Sequence, residues 1–350
     1  MSRWLSIRKD LTPGLHRRFG VLAFLIPLAT WSLFSYVPWL WHPMVRVTDP
    51  AGVSWIKPGQ ILPREDFAKL VEKQAALAAP TPTGTPANPL YFPPPHAVGR
   101  ALYTAFTTEP VLKGDKWLHQ AIFASIRTIF WGFALACLVG VPLGVFCGAS
   151  PAIARLTEPF VDFIRYMPAP AFGALMVAIF GIHVAPKISI IFIGVFFPLV
   201  LVVATTVRRA DLSLVEAAQT LGAKPRALVF RVLVPASLPD LYNDLRLLLG
   251  SAWTYLIVAE VVGVSSGISF FINQQAKYRN FDNVYAAIVI IGAIGFGTDQ
   301  ALAWLGQRLF AWKNPRPSRL RRFFGRLTGA PGAARPADAS RNAGEPVSTF

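Results

Sequence analysis

The chain has 350 residues, of which 53% are apolar and only 15% charged, and its mean hydropathy is +0.45. That balance excludes an ordinary soluble domain and fits an integral membrane protein. The formal charge of +16 does not reopen a nucleic-acid reading: the basic residues gather at the chain ends and beside apolar runs, where an anionic cytoplasmic membrane face accounts for them.

Residues 1–19 read as a cytoplasmic basic tail carrying Arg3, Arg8, Lys9, Arg17 and Arg18. The apolar run at 20–41 is long enough to cross a hydrocarbon core of roughly 30 Å at about 1.5 Å per residue. Trp39, Trp41, His42 and Pro43 follow it instead of a small-residue cleavage site, so it is expected to be an uncleaved anchor with its amino end inside. Residues 42–118 form a long polar excursion, expected to be periplasmic, with an amphipathic helix near Phe67, Leu70 and Val71. The Pro/Thr-rich run from Ala79 to Pro86 reads as a linker without regular structure. For residues 42–91, a spacer and a docking element stand as equal readings.

A transmembrane core at 119–312 comes next. Ala121–Cys147 is apolar apart from Arg127 and holds Gly140, Gly144 and Gly148, a small-residue ridge that lets helices approach closely. Further spans are expected at Pro159–Ile182, Ile188–Val207, Leu245–Val264 and Val284–Phe310, with a brief turn from His183 to Lys187. The fold class is therefore an all-α integral membrane protein of about six transmembrane helices. Residues 313–350 carry Lys313, Arg316, Arg319, Arg321, Arg322 and Arg326 and then a Gly/Ala/Pro-rich end, a cytoplasmic tail expected to be disordered. Both termini and the loop after Arg208-Arg209 fall on one side, as the positive-inside rule requires.

That loop is the most informative stretch. Ser213 with Glu216 three residues on has the form of a capping box. Leu214, Ala217, Ala218 and Leu221 make an apolar stripe at helical spacing, and Gly222 is placed to end the helix in a left-handed conformation. Lys224 and Pro225 restart the chain, Leu228, Val229, Val232 and Leu233 form a second stripe, and Pro235 is expected to close it. Two short amphipathic helices joined at a glycine form a candidate docking surface. An ordinary amphipathic loop between membrane helices is the bland alternative.

Glu216-Ala217-Ala218, Gly222 and Val232-x-Val234-Pro235 resemble the signature loop of ABC-importer permease subunits: Glu-Ala-Ala, Gly, then Ile-x-Leu-Pro at the same spacing. The departures at Val232 and Val234 are conservative. The segments at 92–98, 165–170 and 259–268 are similar to the nitrate/sulfonate/taurine group of that family. The resemblance implies a coupling loop, residues Ser213, Glu216, Ala217, Ala218, Gly222, Leu233 and Pro235, seated in a groove of a cytoplasmic ATP-binding subunit. It also implies a pair of those subunits, a second permease copy (identical or a close paralogue), a periplasmic solute-binding protein and a location in the bacterial inner membrane. Membrane lipid is a further expected partner and nucleic acid is not. A small solute, sulfonate-, nitrate- or taurine-like, would cross between the two permeases.

No Gly-Lys dipeptide occurs, so a P-loop is excluded and ATP hydrolysis is expected on a partner. The five histidines are scattered without metal-ligand spacing, Cys137 and Cys147 share one apolar run, and no catalytic constellation is present. The chain is read as a non-enzyme without a cofactor. Charges in apolar runs are the remaining candidates, because burying them in a bilayer is costly. Glu260 either shapes the path or its outer gate, or pairs with Lys277 or Arg279 and fixes the outer loop. Tyr166 and Trp253 are candidates to line the path. Asp162 and Arg165 are expected to pair within one helix, and Arg127 and Asp299 to reach an interface. A self-sufficient secondary transporter or channel is the competing class, and it would need inverted repeats or a polar line through the bundle. A membrane scaffold without transport is the third.

Overall fold

The computed structural model describes residues 13–37, 40–110, 116–262 and 266–313. The expectations placed on Arg3, Arg8 and Lys9, on Trp39, on residues 263–265 at the end of the Leu245–Val264 span and on the basic cluster from Arg316 to Arg326 lie outside the described residues.

Helix α1 (Pro13–Tyr36) is mainly apolar from Phe19 onward and leaves Phe24, Ile26 and Leu33 exposed. A small sheet follows, made of β1 (Met44–Asp49), β2 (Ile61–Pro63) and β3 (Thr83–Ala87), with helix α2 (Arg64–Ala76) between β2 and β3. Strand β1 is central and pairs antiparallel with both neighbours, in the order β2-β1-β3. Val47, Val53, Ile56 and Leu70 close a core of their own, with Leu62 and Phe67 packed against it. The expected linker is corrected here: Thr83 to Ala87 is a paired strand. Its threonines suit a pleated surface, and Pro86 is tolerated because β3 is an edge. Gly84 leaves the room that Val45 fills, since a Cβ there would also lie 2.9 Å from the Arg46 carbonyl oxygen.

Helix α3 (Pro95–Thr107) belongs to the helical body rather than to the excursion. Its Val98 and Ala101 pack with Ala286 of the last helix and with Trp31 of α1. The Trp31 indole donates to the Pro93 carbonyl at 3.1 Å, Asn88 Nδ2 donates to the Ser35 carbonyl at 3.0 Å, and the Tyr36 hydroxyl lies 2.7 Å from His96 Nδ1. These bonds tie α1 to α3 and to the connection that leaves the sheet after β3.

The body itself comprises α4 (Leu118–Ala149), α5 (Pro151–Arg165), α6 (Gly173–Phe180), α7 (Ala185–Arg208), α8 (Leu212–Thr220), α9 (Pro225–Ala227), α10 (Val234–Ala259), α11 (Ile268–Lys277) and α12 (Phe281–Leu309). Helix α7 is its axis. Ile190, Ile191, Val195, Leu199, Val200, Val203 and Ala204 are all fully buried. The glycine ridge on α4 meets this helix: a Cβ on Gly140, Gly144 or Gly148 would lie 2.9, 2.6 and 2.6 Å from Leu199, Val203 and Val207 side chains. The close contact the ridge predicts is thus made within the chain.

Arg18–Tyr36, α4, α7 and α12 are long and apolar enough to cross a bilayer, and α5 with α6 adds a fifth if that pair is one span. The pair is bent by 86°, where a single straight span was expected. Pro168 precedes and Pro170 lies within a 3-10 turn at Ala169–Phe172, and neither can donate the amide that a continuous helix needs. Helix α10 is long enough, about 39 Å at 1.5 Å per residue, but Asp240, Asp244 and Arg246 lie in its first half.

Candidate functional site

Asp211 opens the hairpin, not Ser213. Its carboxylate accepts the Ser213 backbone N–H at 3.0 Å and sits at the N-cap of α8. Ser213 is already the second residue of the helix, and the expected capping box with Glu216 is therefore corrected to an Asp cap two residues earlier. At the other end Gly222 takes φ +80°. The Ala223 N–H reaches the Ala218 carbonyl at 3.0 Å and the Gly222 N–H reaches Gln219 at 2.8 Å, which is the paired-bond helix stop that a left-handed glycine permits.

The second arm differs from its expectation. Lys224 caps it and Pro225 starts α9, but Leu228–Leu233 forms a wider π turn and the chain runs directly into α10. The Val234 N–H bonds back five residues, to the Val229 carbonyl. Pro235 therefore does not close the arm; it lies in the first turn of α10. The widened turn absorbs the carbonyl that a proline ring would otherwise strike. Val229, Leu233 and Val234 pack against the main core, so the second stripe faces this chain. The first does not. Leu214 is 48% exposed and Leu221 88% exposed, and Glu216 and Ala217 are exposed beside them.

A second constellation gathers around Glu260, which is 2% exposed. Ser125 Oγ on α4 donates to its Oε1, and the Ser269 backbone N–H on α11 donates to Oε2 at 2.7 Å. Ser125 Oγ also accepts the Ile268 N–H at 2.9 Å. The carboxylate thus caps the amino end of α11, where the helix dipole favours an anion. Lys187, on the first turn of α7 and 1% exposed, donates to the Ser266 carbonyl at 2.8 Å and to its hydroxyl at 3.1 Å. Its charge acts on Glu260 through space. Gly267, at φ +104°, lets the loop pass the carboxyl, which a Cβ would strike. Neither Lys277 nor Arg279 pairs with Glu260 among the described ion pairs. The alternative partners expected for it are therefore replaced by Ser125 and Ser269. Sequence reasoning missed Lys187 and Ser125. Lysine at the start of an apolar run was the available signal; the serine carried none.

Asp162 and Arg165 pair at 2.6 Å within α5, and Arg165 also donates to the Tyr166 hydroxyl at 3.1 Å. Tyr166 is 73% exposed at the break between α5 and α6. Trp253 is half-buried against the main core. No described hydrogen bond or ring contact joins Glu260, Tyr166 and Trp253. Asp299 is held by Arg246 between α10 and α12 rather than reaching an interface.

The sequence pattern of the family described as "binding-protein-dependent transport system inner membrane component" matches residues 140–311, from the glycine ridge through the hairpin to the end of α12. Taurine transport system permease protein TauC of Escherichia coli (strain K12) is 31% identical over 225 residues, 64% of this chain and 81% of that protein. The chain belongs to this permease family. Putative aliphatic sulfonates transport permease protein SsuC of Bacillus subtilis is 32% identical over 59% of this permease and 74% of its own length. Bicarbonate transport system permease protein CmpB of Synechocystis is 28% identical over 56% and 70%. Among solved structures, an inward-facing MetNI methionine ABC transporter gives a TM-score of 0.49 at 20% identity, over 55% of this permease and 94% of that chain. The permease is a membrane-embedded component of an ABC importer and contributes its translocation path; it is a transport component and not an enzyme. Helix α1 and the sheet at 44–87 lie outside the family match.

Proposed function

We propose that the permease works as one of two membrane subunits, each docked through α8 to a cytoplasmic ATP-binding subunit, and that a periplasmic binding protein delivers the solute to its outer side. The observation that carries this reading is the bare apolar face of α8, Leu214, Ala217 and Leu221, joined at Gly222 to a second arm that runs through the π turn into α10. A face of that kind in water needs a partner, and the second arm with α10 forms one rod that carries the movement of the docked arm to the membrane helix. Glu216 and Gly222 position the docked arm, and Leu233 and Pro235 join it to α10.

In this arrangement six helical segments cross the bacterial inner membrane. The termini and hairpin lie in the cytoplasm, where the basic ends meet anionic lipid, and the sheet and the Glu260 cluster lie outside. Along α10, Asn243, Leu247, Gly250, Thr254 and Ile257 are exposed at alternating spacings of four and three residues. That stripe faces the second permease copy and, with Tyr166, lines the path between the copies. Glu260 shapes its outer end by fixing α11. The solute is a small oxyanion of the sulfonate or bicarbonate kind, a class supported by the names of the relatives.

Sidedness tests the arrangement. With Cys137 and Cys147 replaced by serine, a cysteine at Leu221 should react with a membrane-impermeant thiol reagent only from the inner side. One at Trp55, 63% exposed on the sheet unit, should react only from the outer side. The reverse pattern would remove the docking assignment.

A further inference from the structure

Between the sheet and the helical body lies a cleft of about 580 Å³, a size that suits a small solute. Five parts of the chain build it. The sheet unit supplies His42 and Arg46, the end of α1 supplies Tyr36, α3 supplies Arg100, and the first turn of α12 supplies Asp282, with Asn88 in the connection to α3. The cationic groups are uncommitted: no ion pair involves Arg46 or Arg100 among the described residues. Asp282 shares the cleft with both guanidiniums and pairs with neither.

Two buried polar atoms in the same lining have no partner: His42 Nδ1 and Asn88 Oδ1. The Asn88 side chain is oriented by its Nδ2, which donates to the Ser35 carbonyl at 3.0 Å and to the Ser35 hydroxyl at 2.8 Å. Its remaining oxygen is therefore an acceptor that needs a donor. A buried acceptor left unmatched is costly, so the cleft suits a ligand that brings a donor to this oxygen.

We propose that this cleft binds a small zwitterion, with its oxyanion end on Arg46 and Arg100 and its ammonium end between Asp282 and Asn88 Oδ1. The chemistry selects both ends. A plain oxyanion would satisfy the guanidiniums but bring no donor to Asn88 and no cation to Asp282. Guanidinium groups hold sulfonate or carboxylate oxygens in pairs, and the carboxylate of Asp282 with the amide oxygen forms the opposite pole. The sheet that supplies Arg46 and the helix α3 that supplies Arg100 lie outside the family match, whereas Asp282 lies within it. That the cleft faces the solute's side of the membrane rests on the arrangement proposed above; binding itself does not.

Titration calorimetry on the full chain in lipid nanodiscs, without ATP or any partner, separates the two. With 2-aminoethanesulfonate as probe, saturable binding of one molecule per chain is expected. Ethanesulfonate and inorganic sulfate should bind at least about tenfold more weakly. Arg46→Gln and Arg100→Gln, on exposed residues of two different elements, should each weaken the zwitterion by about tenfold or more, and Asp282→Asn should abolish its advantage over ethanesulfonate. Three results would overturn the proposal: no saturable binding up to roughly 10 mM, binding indifferent to both arginine substitutions, or ethanesulfonate binding as tightly as the zwitterion. A failure here leaves the sidedness and docking results untouched, and their failure leaves this titration standing.

Discussion

A carboxylate and an ammonium buried together cost free energy unless each is fully hydrogen-bonded, and removing one of them strands the other. Glu260 and Lys187 satisfy that condition through Ser125, Ser269 and Ser266, and through them α4, α7 and α11 are fastened to the end of α10. Glu260→Gln should therefore lower the thermal stability of the purified protein, and Lys187→Met should do the same. The double substitution should be less damaging than the sum, with a coupling of about 1–3 kcal/mol. Strict additivity in a thermal-shift series would show that the two charges do not sense each other. Glu260 was legible in the sequence as an ionisable group at the end of an apolar run. Its partners were not: Ser125 lies 135 positions away inside another apolar run, and Lys187 looked like part of a turn. Pattern reading sees what lies along one helix, whereas this site is assembled across four elements.

The hairpin is an element whose two arms do different work. The first offers bare leucines and the second is anchored in the core through the π turn that leads into α10. Leu221→Asp should leave stability unchanged, since that side chain is 88% exposed, yet reduce ATP-dependent uptake at least about tenfold by placing a charge in a docking face. Gly222→Pro should abolish uptake with the protein still in the membrane. Proline cannot adopt φ +80° and removes the N–H that bonds Gln219. Glu216→Lys should act likewise, by reversing a charge on the exposed docking arm in the middle of α8. Normal uptake by all three in proteoliposomes would dismiss the docking role. Glycine spacing made the stop of α8 readable beforehand. The cap was misplaced because Asp211 and Ser213 are both acceptable N-cap residues. The π turn was invisible, since it answers a strain at Pro235 that only the continuing helix creates.

At the scale of the molecule, an axial helix, α7, is enclosed by α4, α5, α6 and α10, and an added sheet is tied to α1 through the connection that follows β3. The α4–α7 contact depends on the absence of side chains along one ridge. Gly144→Val should strongly reduce the yield of folded, monodisperse protein. Even Gly144→Ala should cost about 1–3 kcal/mol, because its methyl would meet Val203 Cβ at 2.6 Å. Unchanged melting of Gly144→Ala in detergent would contradict that packing. The apolar runs made the helical class and most helix positions readable, and the glycine ridge announced a close contact without naming its partner. The bend of 86° between α5 and α6 was half visible in Pro168 and Pro170. The sheet was not visible: short strands rich in threonine, glycine and proline match a linker in composition, and only pairing with β1 makes Thr83–Ala87 a strand.

The account turns on force reaching α10 through α8. Its most direct test is a cysteine at Leu221, in a chain freed of Cys137 and Cys147, co-expressed with the ATP-binding subunit carrying single cysteines along its docking groove. The account predicts a specific cross-link at one or two groove positions that stops uptake and is reversed, together with transport, by reduction. No cross-link at any groove position, or one that leaves ATP-driven uptake at full rate, would contradict it.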